Sequence, residues 1–234
     1  MTTTFAAHLD GLLRQDSGRP LVTFYDDGTG ERVELSVATY ANRVAKTSSL
    51  LVEELGLERG GRVVVALPTH WLGPVFLGAA WTIGAAIVDA GPDAVVCGPD
   101  EVDDWAPRAA DVPVVACALL PLGVRFAEPV PHGVHDFGLE VWSQPDAFVP
   151  WESPQPDDEA FHGRSHADLF RGPGSADRLL TAANPVQVPG VAAFVQPFLG
   201  GGSTILVRNA DPARWQQKYD EERASAQLAQ PARS

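Results

Sequence analysis

One short segment carries residue types that could do chemistry. The segment is DDEAFHGRSHADLF, Asp157 to Phe170, which begins with three acidic residues and continues with two histidines, a serine and an aspartate. Histidine and carboxylate groups can ligate a metal ion, and serine, histidine and aspartate are the residue types of a hydrolase triad. The segment could therefore be an active site, or a structural element built from the same residues.

A metal site here would use His162, His166 and Asp168. The two histidines are four residues apart, a spacing that brings ligands together only on a helix. Gly163 lies inside this interval and disfavours a helix. We therefore predict no metal site.

A hydrolase would use Ser165, His166 and Asp168. Triads assemble from segments that converge in space, and sequence neighbours rarely face one another in the required way. No GxSxG motif is present. The alternative is structural: Ser165 is the N-cap of a helix HADLF, with Asp168 at the third helical position.

Two glycine clusters, GPGSAD (172–177) and LGGGST (199–204), raise the question of a phosphate site. A phosphate loop normally has a lysine after its glycines, and neither cluster has one. The two lysines of the chain, Lys46 and Lys218, lie in predicted helices, on faces expected to be solvated. The clusters instead predict a helix C-cap at GGG and a surface turn at GPGS.

Composition limits the classes of partner. Thirty acidic residues against 17 basic ones give a formal charge of -13, which disfavours nucleic acid and anionic membranes. The N-terminus lacks the basic region of a signal peptide and no long apolar run follows, so we expect a cytoplasmic protein. Cys97 and Cys117 each lie in a β-branched run, which predicts buried, reduced thiols.

Periodicity predicts an α/β fold. Residues 21–36 read as a β-hairpin around GTG, and Ser36 then caps a helix that ends at Gly56. A strand (62–68), an apolar helix (69–84) and a second strand (85–90) predict a right-handed crossover and a mostly parallel sheet. The later predicted elements are strands at 93–98, 112–120, 176–183 and 203–209, and helices at 188–202 and 212–228.

The same pattern predicts a sequential division of the chain. Residues 1–120 form a first α/β lobe, and 165–226 form a second α/β portion packed on it. Between them, 121–164 is a proline-rich connector over the surface. Residues 227–234 are a frayed tail.

The order of these elements resembles the N-terminal region of the adenylate-forming superfamily, which includes acyl-CoA synthetases, nonribosomal peptide adenylation domains and luciferases. Residues 19–90 are similar to its hairpin, capped helix, strand ending in proline, apolar helix and GA strand. The segments SHADLF (165–170) and 177–224 resemble the family's later elements. The resemblance implies mostly parallel sheet flanked by helices, with an N-terminal β-hairpin.

The chain departs from the family at its catalytic motifs. The family binds ATP phosphates with a hydroxyl- and glycine-rich loop ending in proline-lysine-glycine, just before the segment that SHADLF resembles. Here DDEAFHGRSHADLF runs straight across that place, and the resemblance implies a shortened bridge over a deleted phosphate loop. Gln187 and Val188 stand where the family has an aromatic residue and histidine, and the chain ends before the adenine and ribose motifs and the C-terminal catalytic lysine. The resemblance therefore implies a protein that is not an enzyme and needs no cofactor.

The expected function is a binding or regulatory role. The weak candidates for ligand binding are Asn184, Gln187, Val188 and Gly190, beside a cleft for a small apolar acid or acyl group. An exposed sheet edge could instead bind a protein partner or a second copy. Two alternatives remain open: half of a split acid-CoA ligase completed by a partner chain, and an unrelated hydrolase or metal enzyme using the His162–His166 segment.

Overall fold

The computed structural model describes residues 4–228. The α-helices of these residues are α1 Phe5–Asp16, α2 Val37–Glu53, α3 Leu72–Ile83, α4 Val102–Trp105, α5 Phe137–Glu140, α6 His166–Phe170, α7 Ala192–Gly200 and α8 Pro212–Glu221. The strands are β1 Pro20–Asp26, β2 Glu31–Ser36, β3 Arg62–Ala66, β4 Ala86–Ile87, β5 Ala94–Cys97, β6 Val114–Ala116, β7 Val134–Asp136, β8 Glu159–Phe161, β9 Arg164–Ser165, β10 Arg178–Thr181, β11 Ser203–Arg208 and β12 Ala226–Leu228.

Contacts divide the chain into two compact units built from non-consecutive segments. One contains residues up to His8, Ala41–Leu67 and Val75–Arg171, and we call it the first unit. The second unit contains Leu9–Tyr40, Pro68–Pro74 and the chain from Gly172. The sequential division into 1–120, 121–164 and 165–226 stays a prediction. Each compact unit draws residues from more than one of these ranges.

The first unit contains a seven-stranded sheet in the order β7-β6-β5-β3-β4-β8-β9. The strands are parallel, except that β9 is antiparallel to β8. Five of them follow the doubly wound order in which the chain starts at the centre, adds a strand on one side and then builds outward on the other. The buried Trp81 of α3 fixes the helix beside this sheet by donating its indole N–H to the Ala160 carbonyl, at 2.9 Å.

The second unit contains a five-stranded sheet in the order β12-β10-β11-β1-β2. The hairpin β1–β2 is antiparallel, and β1 continues the sheet by pairing in parallel with β11. The predicted hairpin and the predicted cap of α2 are both confirmed, because the Ser36 hydroxyl accepts the Thr39 backbone N–H at 3.1 Å. The helix α1, which precedes the hairpin, was not predicted.

Two further elements differ from the sequence prediction. The proline-rich connector does not only cross the surface, because its residues Val134–Asp136 pair with β6 as a sheet strand. The final helix ends at Glu221 instead of continuing to Leu228. Arg223 takes a φ of 51°, and Ala226–Leu228 then pair in parallel with β10. The expected frayed tail thus begins within a strand, and its residues 229–234 lie outside the described chain.

Between residues 4 and 228, no helix combines the length and the apolar character needed to cross a bilayer.

Candidate functional site

The segment with candidate catalytic residues forms a tight hairpin in the first unit. Strands β8 and β9 pair in antiparallel fashion, and His162 and Gly163 connect them. Both residues have positive φ, 46° and 79°, as the central residues of a type I′ turn require. The segment expected to be a shortened bridge therefore contains a β-hairpin with a two-residue connection.

The backbone N–H groups around this turn bond within the protein. A phosphate loop needs several such groups free and pointing at one anion. Here five of them reach acceptors of the chain at 2.8–3.1 Å. The pairs are His162 to the Ile87 carbonyl, Gly163 to the Glu159 carboxylate, Ser165 to the Asp168 carboxylate, His166 to the Asp158 carbonyl and Ala167 to the Pro156 carbonyl.

Ser165 begins helix α6. Its hydroxyl accepts the Asp168 backbone N–H at 3.2 Å and also donates to the Asp168 carboxylate at 2.9 Å. The same carboxylate accepts the Ser165 backbone N–H, which completes a capping box. These hydrogen bonds, first the backbone one, lower the pKa of Asp168. The predicted N-cap is confirmed.

His166 is fully buried, and its ring lies 5.7 Å from the Phe170 ring, measured between centroids. Neither ring nitrogen has a hydrogen-bond partner within the described chain. Burial lowers the pKa of His166 to about 4, against a smaller opposite effect of Asp158. The ring is therefore neutral near pH 7, and no hydrogen bond connects it to Ser165.

The His162 side chain contacts a residue outside the candidate segment. Its Nδ1 atom lies 2.9 Å from an Asp89 carboxylate oxygen. Of the four candidate residues, Ser165 and Asp168 contact each other, whereas His162 contacts Asp89 and His166 packs against Phe170. Across residues 4–228, no group of three or more histidine, cysteine or acidic side chains is arranged to hold a metal ion.

The candidate ligand-binding residues Asn184, Gln187, Val188 and Gly190 form a tight turn in the second unit. The Asn184 side chain accepts the Val186 backbone N–H at 3.2 Å, and the Asn184 carbonyl accepts the Gln187 N–H at the same distance. A Cβ atom at Gly190 would lie 1.9 Å from that carbonyl oxygen, so only glycine fits. Gln187 and Val188 are exposed.

The two glycine clusters lie against each other in the second unit. A Cβ atom at Gly174 would lie 2.2 Å from the Gly200 nitrogen, and one at Gly202 would lie 2.1 Å from the Asp177 carbonyl oxygen. Gly201 adopts a left-handed conformation and caps α7, which confirms the predicted C-cap. These glycines permit contact between two backbone segments.

Sequence reasoning missed an ionic network in the second unit. Glu222 accepts hydrogen bonds from Arg178, from Arg32 at 2.9 Å and from the Tyr25 hydroxyl. Burial raises the pKa of Glu222, but these hydrogen bonds outweigh burial and lower it. Arg178 also donates to Thr23 and Ser203 at 3.1–3.2 Å. These arginine donors are hydrogen-bonded to acceptors of the protein. The network therefore connects strands of the five-stranded sheet and does not form an open anion site.

Lys218 also differs from its prediction. It is 3% exposed, instead of lying on a solvated face. Its ammonium group forms an ion pair with the buried Asp27 carboxylate at 2.5 Å. Because Asp27 lies in the turn after β1 and Lys218 in α8, no local sequence pattern connects them.

Comparison with solved structures identifies the fold. The chain superposes on a benzoate CoA ligase from Burkholderia xenovorans LB400 with a TM-score of 0.74 and 18% identity, over 96% of this chain and 49% of that one. An acyl-CoA synthetase from Brucella canis gives 0.73 and 20%, over 94% and 45%. A fatty acyl CoA synthetase from Mycobacterium tuberculosis gives 0.71 and 16%, over 96% and 49%.

The fold is therefore the α/β fold of acyl-CoA ligases, which is the fold that the sequence resemblance implied. The chain spans about half the length of these solved enzymes. No protein-family model matches it. The chain is 37% identical over 244 residues to the TIGR03089 family protein of Mycobacterium tuberculosis (strain ATCC 25618 / H37Rv), covering 97% of this chain and 98% of the relative. The chain belongs to the TIGR03089 family.

Proposed function

We propose that this protein is a non-catalytic member of the adenylate-forming fold that acts as a binding or regulatory module. The observation that carries the proposal is the His162–Gly163 turn. The sequence resemblance puts the family's phosphate loop at this segment, and the backbone donors of the turn are bonded within the chain. A fold can persist without the chemistry of its relatives, so the ligase-like architecture does not supply an activity.

Local charge supports the same proposal. Asp157, Asp158 and Glu159 precede the turn. The hydrogen bonds from Arg59 lower the pKa of Asp158, so this carboxylate is ionised near pH 7. Carboxylates at this position repel a triphosphate, because like charges at short distance raise the free energy of binding. The nearby guanidinium of Arg59 is engaged by Asp158 at 2.7 and 2.8 Å.

Calorimetric titration with magnesium-ATP, with AMP as a comparison, tests the loss of the nucleotide site. We expect no heat beyond dilution at millimolar nucleotide, and no acid-dependent exchange of pyrophosphate into ATP. Saturable binding of magnesium-ATP, or exchange that requires a carboxylic acid, would contradict the proposal.

A split acid-CoA ligase is the second candidate, because the chain covers only about half of the solved ligases. In this case a partner chain would supply the nucleotide-binding half. Pyrophosphate exchange should then be absent from the isolated protein but present in a complex purified from its native cell. We expect no exchange in either sample.

The ligand of the proposed module is a small apolar acid or acyl group, or a protein partner, including a second copy. The exposed turn at Gln187 and Val188 is the candidate contact for the former. Titration with benzoate and octanoate should shift the amide signals of these residues, and Gln187→Ala should weaken the shift. Light scattering and cell fractionation test self-association and the expected cytoplasmic location.

A further inference from the structure

A cavity of about 430 Å³ opens on the surface of the first unit, and neither His162 nor Gly163 lines it. Its apolar lining includes Leu57, Ile83 and Phe148. Leu57 and Ile83 are each 3% exposed, so the cavity reaches the buried core between the ends of helices α2 and α3. A volume of this size accommodates a small organic molecule.

The indole of Trp151 borders the cavity and is almost fully exposed to solvent. The residue is 94% exposed. Exposing a large aromatic surface is unfavourable in the absence of a ligand, and this one adjoins an apolar recess. An indole in this position can cover one side of a bound molecule.

The charged groups at the cavity leave a negative excess. Glu58, Arg59 and Glu152 line it. The Arg59 guanidinium donates to both oxygens of Asp158 and lies 3.6 Å from a Glu152 oxygen, so its charge is already compensated. Because Asp158 already compensates Arg59, the two lining carboxylates, Glu58 and Glu152, disfavour an anionic ligand and favour a cationic one.

We propose that this cavity binds a small organic cation with an apolar body, such as an aromatic or alkyl amine. The apolar part would fill the recess lined by Leu57, Ile83 and Phe148. The ammonium group would lie near Glu152 and the face of Trp151, where carboxylate and indole both attract a cation. This proposal does not depend on whether the protein has lost nucleotide binding.

The test compares three probes that share a phenyl ring and differ in charge: phenethylammonium, phenethyl alcohol and 3-phenylpropionate. Each is titrated into the full chain, and the indole N–H signal of Trp151 is followed by nuclear magnetic resonance. We expect the cation to bind at least about fivefold more tightly than the anion, because one cation–π contact supplies an effect of this size. Added salt should weaken the binding of the cation and leave that of the alcohol unchanged.

Two variants separate the parts of the site. Trp151→Ala lacks the indole signal, so its titrations follow the backbone amide signals of Leu57 and Phe148; this variant should bind all three probes more weakly. Glu152→Gln should weaken only the cation. Both side chains are largely exposed, so neither substitution should unfold the protein. Trp142→Ala is the matched control, because Trp142 is a half-exposed connector tryptophan that stacks on Arg43 outside the cavity. Absence of saturable binding by phenethylammonium, or equal binding of all three probes, would overturn the proposal.

Discussion

His70 and His166 are both buried as neutral imidazoles. Burial lowers the pKa of His70 to about 3 and that of His166 to about 4. The unfolded chain takes up a proton near the ordinary histidine pKa, about 6.5, whereas the folded chain does not. The stability that these rings contribute is therefore present above this pH. It falls as the pH falls toward the folded-state values.

The free energy of unfolding should consequently fall between about pH 6.5 and pH 5 by about 1.6 kcal/mol for each of the two rings. Urea titrations across this range measure the slope. His166→Gln should remove about half of it, since glutamine does not titrate. His132→Gln is the control, because His132 is exposed and its replacement should leave the slope unchanged. A slope unaffected by His166→Gln would contradict the prediction.

Ser165 allows a direct comparison of a capping and a catalytic role. Ser165→Ala removes the hydroxyl that accepts the Asp168 N–H and should lower the free energy of unfolding by about 1 kcal/mol. Ser165→Asn keeps a good N-cap and should recover most of the loss, as measured by urea titration. A nucleophilic serine would not be replaced by asparagine. An esterase activity abolished equally by both substitutions would argue for the hydrolase alternative.

The contact between the two glycine clusters holds the end of α7 against the segment before β10. Gly202→Ala would place a Cβ atom 2.1 Å from a carbonyl oxygen of that segment, and the backbone would have to move. We expect a loss of about 3 kcal/mol in the free energy of unfolding, at the upper end of the usual cost of overpacking, because the obstructing atoms belong to the backbone. Chemical denaturation provides the measurement.

Gly201→Ala is the matched control for this substitution. Gly201 has a φ of 78°, but nothing lies within 4 Å of an added Cβ atom. Only backbone strain opposes this change, and it costs about 1–2 kcal/mol. If both variants lost the same stability, the close backbone contact would not explain the glycines.

Elements with strong local signals were predictable. The structure has helix ends at three residues where the sequence predicted them. The side chains of Ser36 and Ser165 begin helices, and the left-handed backbone of Gly201 ends one. Strands β7 and β12 were not predictable. Each has only three residues, and AQL has a composition that favours a helix. They form because a neighbouring strand edge supplies hydrogen bonds, which a local pattern does not show.

The candidate site was predictable only in part, for the same reason. The residue types and the cap were visible in the segment itself. The Asp89 partner of His162 and the Arg59 partner of Asp158 lie far away in sequence, as does the Asp27 partner of Lys218. Contacts of this kind depend on the order of strands in a sheet, and one sequence without relatives does not reveal them.

The interleaving of the two compact units has a consequence for dissection of the chain. Strand β1 lies near the N-terminus, but it pairs with β11, more than 170 residues later in the numbering. A fragment of residues 1–164 keeps β1 and β2 and lacks β10, β11 and β12. A two-stranded hairpin alone is only marginally stable in water.

We therefore expect residues 9–40 to be protease-sensitive in the 1–164 fragment and protected in the full chain. Co-expression with residues 165–234 should restore the protection. A chain ending at Leu228 is the control, because it keeps every described strand. A 1–164 fragment with a protected hairpin would show instead that the predicted sequential lobes fold independently.

The two thiols of the chain are well shielded. Cys97 and Cys117 are at most 1% exposed, and burial raises the pKa of Cys97 to about 12 and that of Cys117 well above its usual value. Alkylating reagents attack the thiolate, so neither residue should react with them in the folded protein. A cysteine introduced on the surface, for example beside the cavity at Trp151, would then accept a fluorophore selectively. The native sequence thus permits site-specific labelling without prior removal of its own cysteines.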